Sequence, residues 1–261
     1  MPTEIGVPVA LFLFAHQDDE FGVFSQIEHD LSIGRRVVCI YATDGAATAN
    51  PARRESESLA VLKQLGVSSE DVFFVGRMLT IGDGQLHKHV TIFSRWLQRF
   101  LVCHPTICTC YVPAWEGGHP DHDLTHAIAT LLIYESRVNA TLLQYPLYNG
   151  RECVGPFFRL LSPMIENGDT YRYPIYWRNR LRYVRLCLSY PSQWRSWLGL
   201  FPFAFFHYLF IGVQQFQQVD LSRLLQPPHS RPLYYERRKF LDWPTVLESI
   251  QQVKLTSKDH K

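Results

Sequence analysis

The sequence predicts an α/β fold: a Rossmann-like, mostly parallel sheet with helices on both faces, followed by an aromatic-rich helical C-terminal extension. Three observations carry this expectation. Apolar, β-branched or aromatic runs recur as VPVALFLFA (7–15), RVVCIYA (36–42), DVFFV (71–75), ICTCYV (107–112) and TLLQYPL (141–147). Segments of helical period lie between them, and strand alternating with helix is the pattern that builds a parallel sheet. The runs are continuous rather than alternating, as expected of strands covered on both faces.

Each element has its own justification in the chain. The first run ends in HQDDE (16–20), and Phe24, Ile27 and Leu31 then fall at i, i+3 and i+7 of a helix. The second strand ends in TDG (43–45), after which Leu59, Leu62 and Leu65 mark one face of a second helix. Residues 86–103 and 121–138 supply two more helices around the fourth strand, which leads into WEGGHPDHD (115–123). After about residue 150 the sequence turns aromatic and arginine-rich, without a repeat, a low-complexity tract or a clean linker. We therefore read 1–150 as the core and 151–261 as an extension of the same domain that shapes the substrate pocket. A helix is expected over 176–197, and QPPHSRP (226–232) as a rigid extended segment.

Composition narrows the function classes. With 261 residues, 46% hydrophobic and 19% charged, the chain can bury a real core and is not a disordered protein. A formal net charge of +2 argues against a nucleic-acid partner, which calls for a strongly basic face. Arg178, Arg180, Arg182 and Arg185 read as a solvated helix face before an anion site. Six cysteines do not form the dense framework of a small secreted domain, and Cys108 and Cys110 read as packing thiols. The first residues carry Glu4 and no basic region, so they read as a first strand rather than a signal peptide, and a cytoplasmic location is expected. The stretch Trp197–Val213 holds no Asp, Glu, Lys or Arg, and at 17 residues it sits at the lower limit for a membrane span, with Pro202 and His207 against that reading. Three readings stay open for it: buried core, a wall of the substrate approach, or a peripheral membrane contact. Phe201 and Phe205 share a helix face within it.

The chemistry concentrates in two short motifs. His16 and Asp19 are three apart, as are His119 and His122. Parallel sheets of this kind bind ligands beyond the carboxyl ends of their strands, where the loops carrying both pairs converge with TDG. Imidazole and carboxylate together suit zinc, and a catalytic zinc keeps three protein ligands and one open position. If His16, Asp19 and His122 are those ligands, Asp18 and His119 are left for proton chemistry. Either pair alone is more often a capping or surface arrangement; their joint placement makes the site. Glu20 either orients a ligand or caps the next helix. His126 reads as a helix-face residue rather than a fourth ligand, and His87, His89, His104 and His207 have no comparable setting.

At these residues the sequence resembles the LmbE-like, or PIG-L, de-N-acetylases. AHQDDE (15–20) matches their A-H-P-D-D-E motif with Gln17 in the proline position, GHPDHD (118–123) matches the second motif, and TDG and RESESLAVLKQLGV (54–67) extend the match, which covers about 8–150. The resemblance implies Zn2+ held by His16, Asp19 and His122, Asp18 as general base, and His119 as the transition-state histidine, protonated and oriented by Asp121. It implies that Arg54 contacts substrate hydroxyls or phosphate. Some members carry a tyrosine where this chain has Gly117, so Trp115, Tyr111 or another residue would replace it. The implied activity is zinc-dependent removal of the N-acetyl group from an N-acetylglucosaminyl conjugate. Its aglycone stays open between lipid-linked, thiol-precursor, nucleotide-linked and antibiotic sugars, with YPLYNG and YPSQ weakly similar to members linked with surface polysaccharides. The implied partner is a small-molecule or lipid-linked amino sugar, with 197–213 as the candidate membrane contact. The alternative is a non-catalytic sugar- or metal-binding protein that keeps the fold; its mark would be loss of Asp18 or of a ligand, and all are present. A phosphoester hydrolase would call for a second metal set.

Overall fold

The computed structural model describes residues 6–46, 50–136 and 138–258. In chain order the first half runs β1 (Val9–Phe14), α1 (Phe24–Ser32), β2 (Arg36–Tyr41), α2 (Pro51–Leu65), β3 (Val72–Phe74), α3 (Val75–Met78), α4 (Leu86–Cys103), β4 (Ile107–Pro113), α5 (Pro120–Glu135) and β5 (Thr141–Tyr145). The second half adds the short strands β6 (Tyr148–Asn149) and β7 (Arg159–Leu160), then β8 (Thr170–Pro174), α6 (Trp177–Cys187), α7 (Trp194–Phe206), a π turn at His207–Ile211, β9 (Val213–Gln218), α8 (Tyr234–Arg237) and α9 (Trp243–Lys258). A seven-stranded sheet has the order β3-β2-β1-β4-β5-β9-β8. Its first five strands are parallel, and β9 and β8 continue it antiparallel, Leu143 facing Gln218 and Arg172 facing Gln215. The expected mostly parallel α/β sheet is thus present.

Successive residues of β1 feed opposite layers. Val9, Leu11 and Leu13 pack into one core cluster with residues of α4, α5 and α9, whereas Ala10, Phe12 and Phe14 join the other with α1, α2, α6 and α7. All of Ala10 to Ala15 are fully buried, which explains why the strand reads as an unbroken apolar run. Local signals start the helices. Asn50 accepts from the Ala52 amide at 2.9 Å ahead of Pro51 at the start of α2, and Gly66 closes that helix at φ 97°.

Strand order reverses between β1 and β4, since β2 leaves β1 on one side and β5 leaves β4 on the other. That switch point opens a crevice at the carboxyl ends of both strands. The two motifs end up there because each directly follows one of these strands.

Two expectations of the second half are corrected. The helix expected over 176–197 is two helices, interrupted between Leu188 and Gln193, where Pro191 cannot supply an N–H to a continuing helix. Residues 226–232 bend instead of extending. The stretch 197–213 is most of α7, the π turn and the first residue of β9, and only part of it is core: Trp197, Ala204 and Tyr208 are buried, while Leu198, Phe206 and Phe210 are exposed. Among the described residues no helix is long and apolar enough to cross a membrane.

Candidate active site

The chain leaves β1 and turns at once. The Asp19 carboxylate accepts from the amides of Ala15 and His16 at 2.9 and 2.8 Å, which folds the loop so that His16 and Asp19 point into the crevice together. Asp18 between them has φ 119°, a left-handed backbone that costs a non-glycine residue energy and clusters at functional sites. Glu20 holds that turn: it accepts from the Asp18 amide at 2.7 Å and from the hydroxyls of Tyr41 and Tyr190. Its carboxylate therefore serves its own loop, neither of the roles left open from sequence. Gln17 reaches across to the Thr43 carbonyl at 3.2 Å, and Thr43 in turn donates to the Ala15 carbonyl at 2.7 Å, so the TDG loop is knitted to the first motif.

The second motif enters from β4. Gly117 lies at φ 68°, which disfavours any side chain, and a Cβ on Gly118 would come within 1.9 Å of the Tyr148 carbonyl. His119 caps α5, its Nδ1 accepting from the Asp121 amide at 3.3 Å, and His122 follows one turn later on the buried side. His16 Nδ1 and His122 Nε2 lie 3.1 Å apart, His122 Nε2 and Asp19 Oδ1 3.1 Å, and His16 Nδ1 and Asp19 Oδ2 3.8 Å. Bonds of about 2.0–2.1 Å to a tetrahedral zinc would separate its ligand atoms by about 3.3 Å. The three residues thus fit a metal ion, and all are buried. His16, His119 and Asp121 form a second grouping within reach of one ion, but Asp121 is already engaged otherwise.

Asp121 is where the structure departs from the expected roles. Its carboxylate lies 3.2 Å from His16 Nε2 and also accepts from the amides of Gly84 and Leu86 at 2.7 and 3.2 Å. It orients His16, not His119, as carboxylates behind metal-binding imidazoles do. His119 Nδ1 accepts from the Asp121 backbone amide, which leaves the ring proton on Nε2, 3.9 Å from Asp83 Oδ1. Burial and the neighbouring His16 push the His119 pKa down to about 4.

Arg54, on α2, is 3% exposed and is not a helix-surface residue. Its Nη2 donates to the Gln17 carbonyl and, at 3.1 Å, to Asp18 Oδ1; the surface pair with Glu57 belongs to Arg53. Burial raises Asp18 to about 7, opposed by Arg54 and reinforced by Asp19 and Glu20. Asp19 is drawn down to about 2, since His122 and His16 outweigh its burial.

Sequence reasoning missed two groups in this crevice. Asp83, in the loop after α3, stands 3.3 Å from His16 Nε2, 3.9 Å from His119 Nε2 and 3.8 Å from Arg54 Nη1. Its backbone amide is held by Asp44 of TDG at 3.1 Å. The signal was available: an aspartate between Gly82 and Gly84, after a strand on the same sheet edge. Tyr148 packs edge-on against His122 with ring centres 5.4 Å apart, and burial together with Asp19, Asp83 and Asp18 keeps its phenol protonated. Glu116 fixes that tyrosine, accepting from the amides of Leu147 and Tyr148 at 2.7 and 2.9 Å. The candidates named from sequence for the tyrosine absent at Gly117 are engaged elsewhere: Tyr111 accepts from Gln26, and Trp115 donates to the Gln226 carbonyl. His126 bonds the Pro113 carbonyl at 2.8 Å, outside the metal grouping.

The mostly parallel sheet, with the His–Asp–His cluster at its switch point, has the fold of solved deacetylase structures. Residues 11–133, a little under half of the chain, match the family model described as PIG-L: GlcNAc-PI de-N-acetylase. Among solved structures, the zinc-inhibited form of teicoplanin deacetylase Orf2 superposes with a TM-score of 0.60 at 14% identity, over 81% of this chain and 98% of that one. The conserved protein TT1542 from Thermus thermophilus gives 0.56 at 17%, over 85% and 97%. The N,N'-diacetylchitobiose deacetylase from Pyrococcus horikoshii, complexed with its inhibitor MPG, gives 0.53 at 16%, over 87% and 88%. At these identities the likeness is one of fold. No curated protein sequence matches the chain.

Proposed function

We propose that this protein is a zinc-dependent hydrolase that removes the N-acetyl group from an N-acetylglucosaminyl conjugate. The observation that carries the reading is the convergence of His16 Nδ1, Asp19 and His122 Nε2 beside Asp18, whose carboxylate accepts from Arg54 at 3.1 Å. The PIG-L match supplies the amino-sugar class. Zinc on those ligands would acidify a water molecule and polarise the acyl oxygen. Asp18 takes a proton from the attacking water and returns it to the amine nitrogen as the C–N bond breaks, leaving acetate and a free amino sugar. His119 and Tyr148 donate hydrogen bonds from Nε2–H and the phenol to the developing oxyanion. Arg54 fixes Asp18 and, with Asp83, offers a guanidinium and a carboxylate to sugar hydroxyls. The extension after residue 150, through Phe158 packed on Tyr148, walls the sugar site.

The test is acetate release by the zinc-loaded protein from a panel of N-acetylglucosaminyl conjugates. Alanine at His16, Asp19 or His122 should strip metal and activity together. Asp18→Asn and His119→Ala should keep zinc and lose about 10²-fold or more in turnover. Full zinc occupancy in all three ligand variants, or no acetate from any conjugate with zinc bound, would sink the reading.

A further inference from the structure

From Thr170 to Val219 the chain has six arginines and no Asp, Glu or Lys. Two are used internally: Arg182 pairs with Glu28 at 2.5 Å, and Arg180 donates to the Ile175 carbonyl at 2.9 Å. Arg172, Arg178, Arg185 and Arg195 are exposed. The same segment carries large apolar side chains in the open. Trp194, Leu198 and Phe205 recur along one stripe of α7, with Leu198 69% exposed, while Phe201 in the same stripe is half-buried against the core. The stripe continues without a gap, because Phe205 and Phe206 lie 6.5 and 5.1 Å from Phe210 of the π turn, where Phe206 is 56% and Phe210 62% exposed.

The adjoining buried face of α7 is anchored. Trp197 packs edge-on against Phe21 at 5.3 Å, and the Tyr208 hydroxyl of the π turn donates to the Phe21 carbonyl. The start of α6 is tied to the same place, the Ile175 amide donating to the Gly212 carbonyl at 2.8 Å, which sets exposed Trp177 beside the π turn. The outer aromatic face is therefore rigidly presented rather than left over from poor packing.

We propose that the outer face of α7, the π turn and the start of α6 form a platform that docks this protein on an anionic lipid bilayer. Aromatics and leucines at the headgroup boundary, flanked by exposed arginines, are the chemistry of an interfacial helix. A second copy fits poorly, since it would press arginine against arginine. A nucleic acid strand stacks its bases within a groove, and this face is the outer ridge of a helix. The platform adjoins the crevice: Phe203 contacts Phe158 at 5.4 Å, Phe158 contacts Tyr148 at 6.1 Å, and Tyr148 contacts His122. Docking sets the mouth of the site at the headgroup layer. The contact itself does not depend on the deacetylase reading, because its measurement needs no turnover.

The experiment is co-sedimentation of the full chain with phosphatidylcholine vesicles made with and without phosphatidylglycerol, with tryptophan fluorescence read in parallel. Binding is expected on the anionic vesicles and should weaken as salt rises. Combined Leu198→Ser, Phe206→Ser and Phe210→Ser should lower partitioning by about ten-fold or more, with the melting temperature unchanged because all three side chains are exposed. Arg178→Gln and Arg195→Gln should each cost roughly five-fold. The proposal is overturned if the intact chain ignores anionic vesicles, if the serine variant binds as well as the intact chain, or if light scattering finds a dimer that the same substitutions dissolve.

Discussion

Replacing Asp121 separates two roles that sequence could not tell apart. Its carboxylate, fully buried, serves three donors: His16 Nε2 and the Gly84 amide on one oxygen, and the Leu86 amide on the other. Asp121→Asn offers one carbonyl oxygen, which best keeps His16 and Gly84, and turns its NH2 toward the Leu86 amide at the start of α4. That lost bond should cost about 1–3 kcal/mol of stability. The uncharged partner also weakens His16 as a ligand, and changes behind a metal ligand typically cost 10–100-fold in metal affinity, about 1.4–2.7 kcal/mol. Zinc affinity would be read by chelator competition, and turnover by acetate release at saturating zinc. Weakened zinc binding with turnover close to the parent once zinc saturates is the expected result. If affinity were unchanged while turnover at saturating zinc fell about 10²-fold, Asp121 would act on His119 and the assignment to His16 would be wrong.

Arg54→Ala should lower kcat as well as raise KM, since the guanidinium holds both Asp18 Oδ1 and the Gln17 carbonyl; a change confined to KM would show that it serves substrate alone. Tyr148→Phe should retain zinc and KM while kcat falls about 10²-fold, the scale of one oxyanion donor, and unchanged kcat would remove Tyr148 from the chemistry. Glu116 is raised to about 7 by burial, with its hydrogen bonds opposing and Asp19 adding to the rise. Its carboxyl thus binds a proton in the native state that the unfolded chain releases above its ordinary 4.5, so this group's contribution to stability is present at low pH and lost as pH rises toward about 7. Glu116→Gln keeps an oxygen for the Leu147 and Tyr148 amides and removes the charge. Its stability relative to the parent should improve by on the order of 1–3 kcal/mol between pH 5 and 8 in denaturant titrations, and parallel pH profiles would count against the shift.

The parallel half of the fold was legible because burial on both faces writes itself as apolar runs, and the edge that carries the site followed from which runs end in polar motifs, while the strand order that makes the switch point came only with the structure. Glu20, Asp18 and Arg54 were visible as residues but not as a network, since a left-handed turn at Asp18 and a buried arginine leave no periodic trace. Strand β9 was hidden for a different reason. Its sequence, VQQFQQ, reads as polar, yet Gln214, Gln215 and Gln217 are buried and use their amides to bond the carbonyls of Gly22, Leu161, Met164 and Gly168. Burial of a polar side chain that is engaged in this way cannot be told from exposure by hydropathy alone. Asp121 misled for a related reason: it is two residues from His119 along the chain, but helical geometry delivers its carboxylate to the far loop.

The density of acid after the first strand has a physical reason that unites these elements. Asp18, Asp19, Asp83 and Asp121 share one crevice with a single buried guanidinium, Arg54, and each lies against His16, His119 or His122 or against that arginine. Uncompensated carboxylates at this burial would be costly. Without a metal the burden falls on His16: burial works to lower its pKa, but Asp83, Asp121 and Asp19 raise it well above the ordinary value, so a proton supplies the missing positive charge. A dication held by His16, Asp19 and His122 would take over that duty and would call for the His16 Nδ1 lone pair. The loop acids are therefore part of the electrostatics of the candidate metal site even where they touch no ligand atom: they make the crevice a place that calls for a proton or a metal ion.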